Sequence, residues 1–512
     1  MRVKVKLPNT TENTKETSMS VSIPQFDPSS IEKLVKAQEK FLRDPSTMAE
    51  FFLATRDEFL RMGLDFITQT LNSCDEMLRG SAVRLAKGWQ IVRRDSRTLT
   101  TSLGDVRFQK TLFRNNKTGE TCYLADRILG IGDHQRITDD AFANLLAEAV
   151  QTSYRRGGEE ASALNQVSRE TVKEKIHELE FPDERDQPEQ EEKRAPEYLF
   201  IDADEDHASL QFNRTKGDLK VSSEGYKINT VMTKLVYVYE GIEPAAPKSS
   251  RNRLVHPHYF SGVYSGADNE KLWEEVYAYL EHTYDLAKVK KIYIQGDGAA
   301  WIVKGHRHLD GLTMVLDEFH LRKYITGMTR HLSDRAADMN AELVRIIRKG
   351  SREEFRKQCR EILSYAQTEG EKVRVLEGKK YILQNWSAAR ARFTEDTVRG
   401  CSAEGHVSHV LSSRMSSRPM GWSRTGADKM ARLRAYYYNK GDMLELIRKQ
   451  SKIREAKAAA GAEEVTILRS NVLIQWENQH RKAYGKYFDA MQAGISRAVA
   501  QEAWFRGHIW GL

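Results

Sequence analysis

The spacing of apolar residues divides the N-terminal part of the chain into helical and strand-forming stretches. Apolar positions recur at helical spacing over residues 30–88 and again over residues 141–154. The character changes over residues 97–123, where the turn sequence 115–119 separates two strand-like runs. This pattern predicts a mainly helical region interrupted by a β-ribbon.

The second half of the chain begins with short apolar runs that are typical of strands. Four such runs, at residues 198–201, 235–239, 292–294 and 312–316, alternate with helical or irregular stretches. After residue 321 no strand pattern is visible until about residue 399, and the stretch is helical and rich in both charge signs. We therefore predict an α/β core with a long helical insertion.

One strand end carries a candidate site. The run Ile292–Ile294 ends at Gly296-Asp297-Gly298, where two glycines allow a sharp turn and leave the Asp297 side chain uncrowded. Ligands of open α/β sheets bind beyond such strand ends. The alternative interpretation is that Asp297 only caps the following helix.

Composition and charge narrow the possible functions. A chain of 512 residues is too long for one ordinary core, and its net charge of +8 with a pI of about 9.0 favours a polyanionic partner. No apolar run is long enough to span a membrane, and residues 1–20 lack the apolar centre of a signal peptide. The four widely spaced cysteines predict neither a disulfide framework nor a zinc knuckle, so we expect a cytoplasmic protein.

A helix-turn-helix pattern lies between Ser153 and His177. Ser168 is placed to cap the second helix, and Arg169, Thr171 and Lys173 would lie near its N-terminal end, where base edges are read. We expect these four residues to bind DNA. An ordinary helical hairpin would show the same short pattern.

Two further stretches suggest contacts with nucleic acid. Residues 248–258 read as a basic loop containing Arg251 and Arg253. Residues 410–460 contain, by count, 12 Lys or Arg against 4 Asp or Glu, and the candidates there are Arg414, Arg418 and Trp422. A solvated basic helix face is the alternative.

Three acidic positions could supply chemistry: an Asp after the first strand, Asp297, and Glu404 after the long insertion. Carboxylates gathered from strand ends and a helix can hold Mg²⁺, which prefers hard oxygen ligands, and Mn²⁺ could replace it. Both Asp202 and Asp204 would lie on one face of the first strand, so alternation cannot choose between them. On spacing alone, three unrelated surface carboxylates explain the pattern equally well.

Several sequence blocks together resemble the ISLre insertion-sequence family of bacterial DDE transposases. The matching blocks are Phe200–His207, Arg251–Leu254, Gln295–Ala299, Leu316–His320 and Glu404–Ser423. The resemblance implies an RNase H-like mixed sheet with a helical insertion before the final Glu. It also implies Asp204, Asp297 and Glu404 as catalytic and metal-binding residues, with Asp202 as an alternative or additional ligand.

The block Asp317-Glu318-Phe319-His320 also resembles the Asp-x-x-His signature of Mutator-like transposases. This resemblance implies that Asp317 and His320 support the catalytic residues. A buried histidine satisfied within the core is the alternative for His320.

The combined expectation is an α/β, RNase H-like catalytic core preceded by a mainly helical DNA-binding region. The predicted segments are a leader (1–28), a helical region (29–96), a β-ribbon (97–130), a helix-turn-helix-like region (138–178), a charged linker (179–196), the first part of the core (197–320), the helical insertion (321–400), the last part of the core (401–460) and a helical tail (461–512).

The resemblance implies a transposase that cuts at the terminal inverted repeats of an insertion sequence and joins the 3′-hydroxyl ends to target DNA. Two ends must be held together, which predicts a homodimer or larger assembly acting at the bacterial nucleoid. A nuclease without strand transfer and a non-catalytic DNA-binding regulator remain as alternatives.

Overall fold

A computed structural model describes residues 28–187, 190–211, 229–305, 311–398, 400–418, 420–457 and 464–478. The chain forms two compact units. The first consists of residues 1–141, 162–165 and 451–512, and the second of residues 142–161 and 166–450. The predicted leader, residues 1–28, lies almost wholly outside the described residues. Across the described ranges, no helix has the length and apolar character needed to cross a membrane.

The first unit combines a helical hairpin with a three-stranded antiparallel sheet. Its elements are α1 (Pro28–Arg43), α2 (Met48–Gly80), α3 (Ala82–Ala86), β1 (Trp89–Thr100), β2 (Asp105–Asn115), β3 (Thr121–Tyr123) and α4 (Leu124–Leu129), together with a helical stretch at residues 464–478. The sheet order is β1-β2-β3. Leu99, Val106 and Phe108 of the ribbon pack against α2, which fixes one face of that helix.

The second unit contains the remaining elements, apart from the end of the last helix beyond residue 450, which belongs to the first unit. They are α5 (Asp139–Ala149, which begins in the first unit), α6 (Tyr154–Glu160), α7 (Arg169–His177), β4 (Tyr198–Ser209), β5 (Thr230–Tyr239), β6 (Gly241–Pro244), β7 (Asn252–Val255), β8 (His258–Gly262), α8 (Asn269–Thr283), β9 (Lys291–Gly296), α9 (Ala300–Gly305), β10 (Leu312–Leu316), α10 (Glu318–Thr329), α11 (Ala336–Lys349), α12 (Arg352–Ser364), α13 (Glu369–Gln384), α14 (Trp386–Thr394), α15 (Ala403–Val407), α16 (Ser413–Met415), α17 (Arg424–Tyr438) and α18 (Met443–Lys457). A π-helical turn, Ser408–Ser412, joins α15 to α16.

A mixed five-stranded sheet forms the centre of this unit, in the order β10-β9-β4-β5-β8. Strands β9 and β10 run parallel to β4, whereas β5 pairs with β4 and β8 pairs with β5 in antiparallel fashion. Leu199, Ile201 and Ala203 of β4 pack in one core with α8 and α9. Phe200 and Ala208 pack in a second core on the opposite face, with α15 and α17. The sheet is therefore covered on both faces.

The helical insertion follows β10 directly and has a core of its own. Helices α10 to α14 bury Leu321, Ile346, Phe355, Val375 and Trp386 among each other. The apolar positions at helical spacing are the buried ones, as expected for amphipathic helices packed around a shared core.

Helix α6 approaches the segment before α7 closely, and this approach requires glycine. A Cβ added at Gly158 would lie 2.0 Å from the carbonyl oxygen of Val167, whose own N–H donates to the Gly158 carbonyl at 2.9 Å. A side chain there would therefore force the two segments apart.

We predict that Gly158→Ala destabilises this unit by about 2–3 kcal/mol because the backbone of Val167 cannot move without loss of packing. The matched control is Gly327→Ala in α10, where an added Cβ meets nothing within 4 Å. That change should leave stability unchanged or raise it by up to about 1 kcal/mol. Thermal unfolding of both variants tests the difference, and equal midpoints would contradict the packing account.

Candidate active site

The strand register brings two aspartates to the same level of the sheet. Asp202 of β4 stands beside Gln295 of β9 in the parallel pairing, so Asp204 and Asp297 each lie two residues further on. Adjacent strands are about 4.8 Å apart. On the other side of β9, Leu316 pairs with Gly296, and Asp317 follows. Asp204, within β4, therefore lies at the level where the parallel strands β9 and β10 end and are followed by Asp297 and Asp317.

The turn that carries Asp297 is fixed by its surroundings. The Asp297 Oδ1 atom accepts a hydrogen bond from the Ala299 N–H at 2.8 Å, and the Tyr381 hydroxyl donates to the Asp297 carbonyl oxygen at 2.6 Å. Gly298 has φ +84°, and a Cβ there would lie 2.7 Å from the Asn385 side chain. Helix α13 and the residue after it thus hold this turn in place.

Asp204 lies in an environment that disfavours its negative charge. Burial raises the pKa of Asp204 to about 6, the hydrogen bond from the Glu205 N–H opposes this rise, and the nearby Asp297 carboxylate adds to it. A carboxylate pair of this kind favours a bound cation or a shared proton. Perturbed acids at strand ends are typical of functional sites.

His320 faces this carboxylate pair. Its Nδ1 atom lies 2.7 Å from Asp317 Oδ2, and Asp317 also caps α10 through the backbone N–H groups of Phe319 and His320. The hydrogen bond to Asp317 raises the pKa of His320 despite partial burial, and the charges of Asp317, Asp297 and Asp204 raise it further. Burial raises the pKa of Asp317, but its bonds to His320 outweigh this effect and the net pKa lies below its usual value.

Asp202 is placed differently from Asp204, although both lie on one face of β4. The Asp202 side chain is 0% exposed. Its Oδ1 accepts from Gln295 Nε2 at 2.7 Å and from the Tyr239 hydroxyl at 3.3 Å. Its Oδ2 accepts from the Tyr237 hydroxyl at 2.7 Å and from the Ser402 N–H at 3.3 Å. Both oxygens are therefore already used within the protein.

Glu404 lies in the first turn of α15 and is exposed. Ser402, two residues before Glu404, donates its backbone N–H to Asp202. Helix α15 therefore starts beside β4. No hydrogen bond or ion pair among the described residues joins Glu404 to Asp204 or Asp297. The structure thus brings Asp204, Asp297, Asp317 and His320 together and leaves Glu404 at the adjacent helix start.

The donor set fits Mg²⁺ in its chemistry. Mg²⁺ in proteins is commonly held by one or two carboxylates, with waters and substrate phosphates completing the shell. Asp204, within β4, and Asp297, just after the end of β9, provide two such carboxylates on neighbouring strands. Within the described parts of the chain, no three His, Cys, Asp or Glu side chains form a closed group that could hold a metal ion.

The residues predicted to bind DNA fall into two groups. Ser168 caps α7, its Oγ accepting from the Thr171 N–H at 3.2 Å, and Arg169 beside it is exposed. Lys173 pairs with Glu170 on the same helix at 2.9 Å. Three further arginines, Arg251, Arg253 and Arg418, are also exposed, and Arg253 pairs with Glu243.

Arg414 and Trp422 require a correction, because both are buried, at 3% and 5% exposed. The Arg414 Nε donates to the Ala149 carbonyl at 3.0 Å, and its guanidinium lies over the rings of Tyr154 and Trp422. Trp422 Nε1 donates to the Met415 carbonyl. These side chains hold α16 and its neighbours together and offer no surface to nucleic acid.

Comparison with known proteins identifies the family. The model of an uncharacterised protein family, UPF0236, matches residues 48–452. The chain belongs to UPF0236.

Relatives of this UPF0236 protein cover most of its length. A UPF0236 protein of Caldanaerobacter subterraneus subsp. tengcongensis is 34% identical over 415 residues, which is 81% of this chain and 83% of the relative. A Streptococcus gallolyticus protein, named as the UPF0236 protein in the vanSb 3′ region, is 24% identical over 392 residues, 73% of this chain and 80% of the relative.

Among solved structures, a chain of the Drosophila P element transposase strand transfer complex matches this UPF0236 protein at 9% identity. The match covers 68% of this chain and 93% of the other, with a TM-score of 0.22. At that score the likeness carries no argument about fold or function.

Sequence reasoning missed several residues that shape the site of this UPF0236 protein. Gln295, Tyr237 and Tyr239 bind Asp202, and Tyr381 holds the turn at Asp297. The two tyrosines are spaced by two in a strand, a pattern that places both hydroxyls on one face. Tyr381 comes from the distant insertion, and no local pattern connects it to Asp297.

We predict a pH-dependent stability difference between wild type and Asp204→Asn in metal-free buffer. Because the pKa of Asp204 rises from 3.8 to about 6 on folding, its contribution favours folding below about pH 4 and is lost as the pH rises through 6. The variant should therefore gain stability relative to wild type as the pH rises from 3 to 7, by on the order of 2–3 kcal/mol. Denaturant unfolding with EDTA measures this, and a difference that stays flat across the range would contradict it.

Proposed function

We propose that this protein is a DDE-type DNA transposase. It would cut at the terminal repeats of a mobile insertion sequence and join the 3′-hydroxyl ends to target DNA by phosphoryl transfer. The observation that carries the proposal is that Asp204, within β4, lies near Asp297, which follows the end of the parallel neighbour β9, beside the Asp317–His320 pair.

The strand arrangement supports an RNase H-like core. Three consecutive strands, β4, β5 and β8, are antiparallel neighbours, and β9 and β10 add to the other side of β4 in parallel. This is the arrangement that an RNase H-like sheet has. The long helical insertion between β10 and α15 fits the resemblance to ISLre transposases, in which an insertion precedes the final Glu.

Asp204 and Asp297 would hold Mg²⁺, or Mn²⁺ in its place, and Glu404 would complete the set from α15. When bound, such ions activate the attacking water or 3′-hydroxyl and stabilise the leaving oxygen of the phosphodiester. Glu404 is held near β4, because Ser402, two residues before it, donates its backbone N–H to Asp202.

The remaining residues of the site would bind and orient. Asp317 occupies Nδ1 of His320, which leaves Nε2 to face the carboxylates or a DNA phosphate. A protonated His320 would balance the charge of Asp204 and Asp297 before substrate arrives. The aspartates would therefore be kept close together in the free protein.

Exposed basic residues would bind the DNA. Arg169 at the start of α7, with Ser168, Thr171 and Lys173, is the proposed contact to the terminal repeats. Arg251, Arg253 and Arg418 would contact the phosphate backbone of the element end or the target. Two ends require two active sites, so a homodimer or larger assembly at the bacterial nucleoid is proposed.

The names of the relatives agree with a mobile element. One Caldanaerobacter relative carries eleven serial designations joined in a single name, and another carries four. A protein encoded at many places in one genome is what a self-mobilising element would leave behind.

A strand-transfer assay tests the proposed function. The purified chain is incubated with a labelled duplex of its own element end, a supercoiled target plasmid and Mg²⁺, with EDTA as the control. We expect metal-dependent nicking at the end and joining of the label to the plasmid. Cleavage without joining would instead favour a hydrolytic nuclease, and binding without cleavage a regulator.

A further inference from the structure

The α1–α2 hairpin carries an exposed apolar surface. Seven large apolar side chains of the two helices are between 49% and 70% exposed, and six of them, all except Leu53, form one set. We call this set the hairpin stripe: Ile31, Val35 and Leu42 on α1, and Phe52, Phe59 and Phe66 on α2.

The stripe members of each helix lie in a line. The three phenylalanines of α2 are seven residues apart, which is close to two turns, so they share one side of that helix. On α1, the spacings of four and seven residues between Ile31, Val35 and Leu42 have the same effect. Each helix therefore presents a continuous apolar line.

Both lines lie on the same side of the hairpin. The helices are antiparallel, because Phe41 stacks on Phe51 at 5.1 Å and Lys33 binds Glu58 at 3.3 Å. Leu42 and Phe52 each follow one of the stacked rings and lie about 100° further round their own helices. In a pair of antiparallel helices, side chains that are rotated by the same angle from the shared contact project to the same side of the pair.

The stripe is separate from the surface that α2 uses within its own unit. Leu64, Ile67 and Leu71 pack on the β-ribbon, and Phe51 packs on α1. The stripe lies between these two contact surfaces and is not part of the core of the first unit. The contacts that α2 makes within its own unit therefore leave the stripe uncovered.

We propose that the hairpin stripe is the surface on which a second copy of this chain docks, hairpin against hairpin. A line of Phe side chains at seven-residue spacing can pack against a partner helix that has the same spacing. In a two-fold dimer both copies use the same surface, so a second copy of this chain supplies such a helix. Six side chains about half exposed supply on the order of 500 Å² of apolar area per copy. Two copies together reach about 1,000 Å², the lower limit for a biological interface.

This interface goes beyond the proposed active site and stands on different residues. It rests on the proposed homodimer and names its surface. A dimeric wild type whose Phe59→Asp variant dimerises normally would remove the stripe as the interface and leave the proposed transposase function standing.

The experiment is sedimentation velocity of the full chain over a range of concentrations, with two variants. Phe59→Asp places a charge at the centre of the stripe, and Ala54→Asp places the same charge on an exposed site of α2 on another side. We expect wild type and Ala54→Asp to dimerise equally and Phe59→Asp to dissociate at concentrations about 100-fold higher. All three should have the same circular dichroism spectrum.

A crosslink gives a second measurement that does not depend on weakening the dimer. Phe59→Cys, at the middle of the stripe, should form a covalent dimer under mild oxidation, whereas Ala54→Cys and wild type should not. A monomeric wild type, or a Phe59→Asp variant that dimerises normally, would overturn the proposal. A monomer whose melting temperature falls with Phe59→Asp would also overturn it, because the stripe would then be covered by the chain itself.

Discussion

Replacing Asp297 by Asn is expected to lower metal-dependent cleavage of the element end by at least about 1,000-fold. The change keeps size and one hydrogen-bond acceptor but removes the charge that would hold the metal and position the phosphodiester. The Ala299 N–H can still be satisfied by the Asn oxygen, so the turn should persist. Gel-based cleavage assays on the labelled end measure the effect.

The control for this prediction is Asp285→Asn. Asp285 is a partly exposed aspartate that pairs with Lys288 on the surface. It precedes the start of β9, whereas Asp297 follows the other end of that strand. It should retain wild-type cleavage, and both variants should bind the element end with unchanged affinity. If Asp297→Asn cleaves DNA at the wild-type rate, Asp297 has no part in the chemistry.

The second large effect is a loss of stability, which we expect when Asp202 is replaced. Asp202→Ala removes an acceptor shared by Tyr237, Tyr239, Gln295 and the Ser402 N–H. Tyr237 keeps its bond to the Ser402 hydroxyl and Gln295 keeps its bond to Tyr239, whereas the Tyr239 hydroxyl and the Ser402 N–H lose this acceptor. We expect a loss of about 2–3 kcal/mol in the free energy of unfolding at pH 4. The loss should be smaller at pH 8, because burial raises the pKa of Asp202 to about 6 and removal of the buried charge then offsets part of it. Asp202→Asn retains one acceptor oxygen and should lose less.

Denaturant unfolding followed by tyrosine and tryptophan fluorescence measures these losses, and Asp204→Asn provides the comparison. Asp204→Asn should abolish cleavage and keep or raise stability, whereas Asp202→Ala should unfold more easily. The opposite pattern, with a stable Asp202→Ala that has lost metal binding, would make Asp202 the ligand and Asp204 the supporting residue.

Local sequence patterns account for much of the architecture around the site. The strand-like run at residues 312–316 coincides with β10, and Gly296-Asp297-Gly298 follows β9 as a turn before α9. The long stretch without strand signals after residue 321 is helical throughout its described residues up to α14. Apolar periodicity works here because each element buries one well-defined face.

Short and irregular strands were harder to predict. Residues 248–258 read as a basic loop, but β7 (Asn252–Val255) lies within it and β8 (His258–Gly262) begins at its end. Strand β7 consists of Asn-Arg-Leu-Val, which has too little alternation to indicate a strand. Similarly, β1 begins at Trp89 rather than near residue 97, because its pairing with β2 overrides a mostly polar sequence.

Burial in the fold also distinguished core residues from surface residues that the sequence alone could not tell apart. Arg414 and Trp422 stand in a basic, aromatic stretch, and composition alone favours a nucleic-acid surface. In the fold they pack on Tyr154 and each other, because arginine can bury its planar head when carbonyls and rings receive it. The alternation of side chains along β4 likewise placed Asp202 and Asp204 on one face of the sheet. It could not tell which of the two side chains is more deeply buried.

The central claim is that Asp204 and Asp297 together hold a divalent cation. The most direct test is titration of the metal-free protein with Mn²⁺, followed by electron paramagnetic resonance of free Mn²⁺. We expect bound Mn²⁺ in wild type and Asp285→Asn, displaced by Mg²⁺, and a loss of binding in both Asp204→Asn and Asp297→Asn. Undiminished Mn²⁺ binding by either of these two variants would contradict the account.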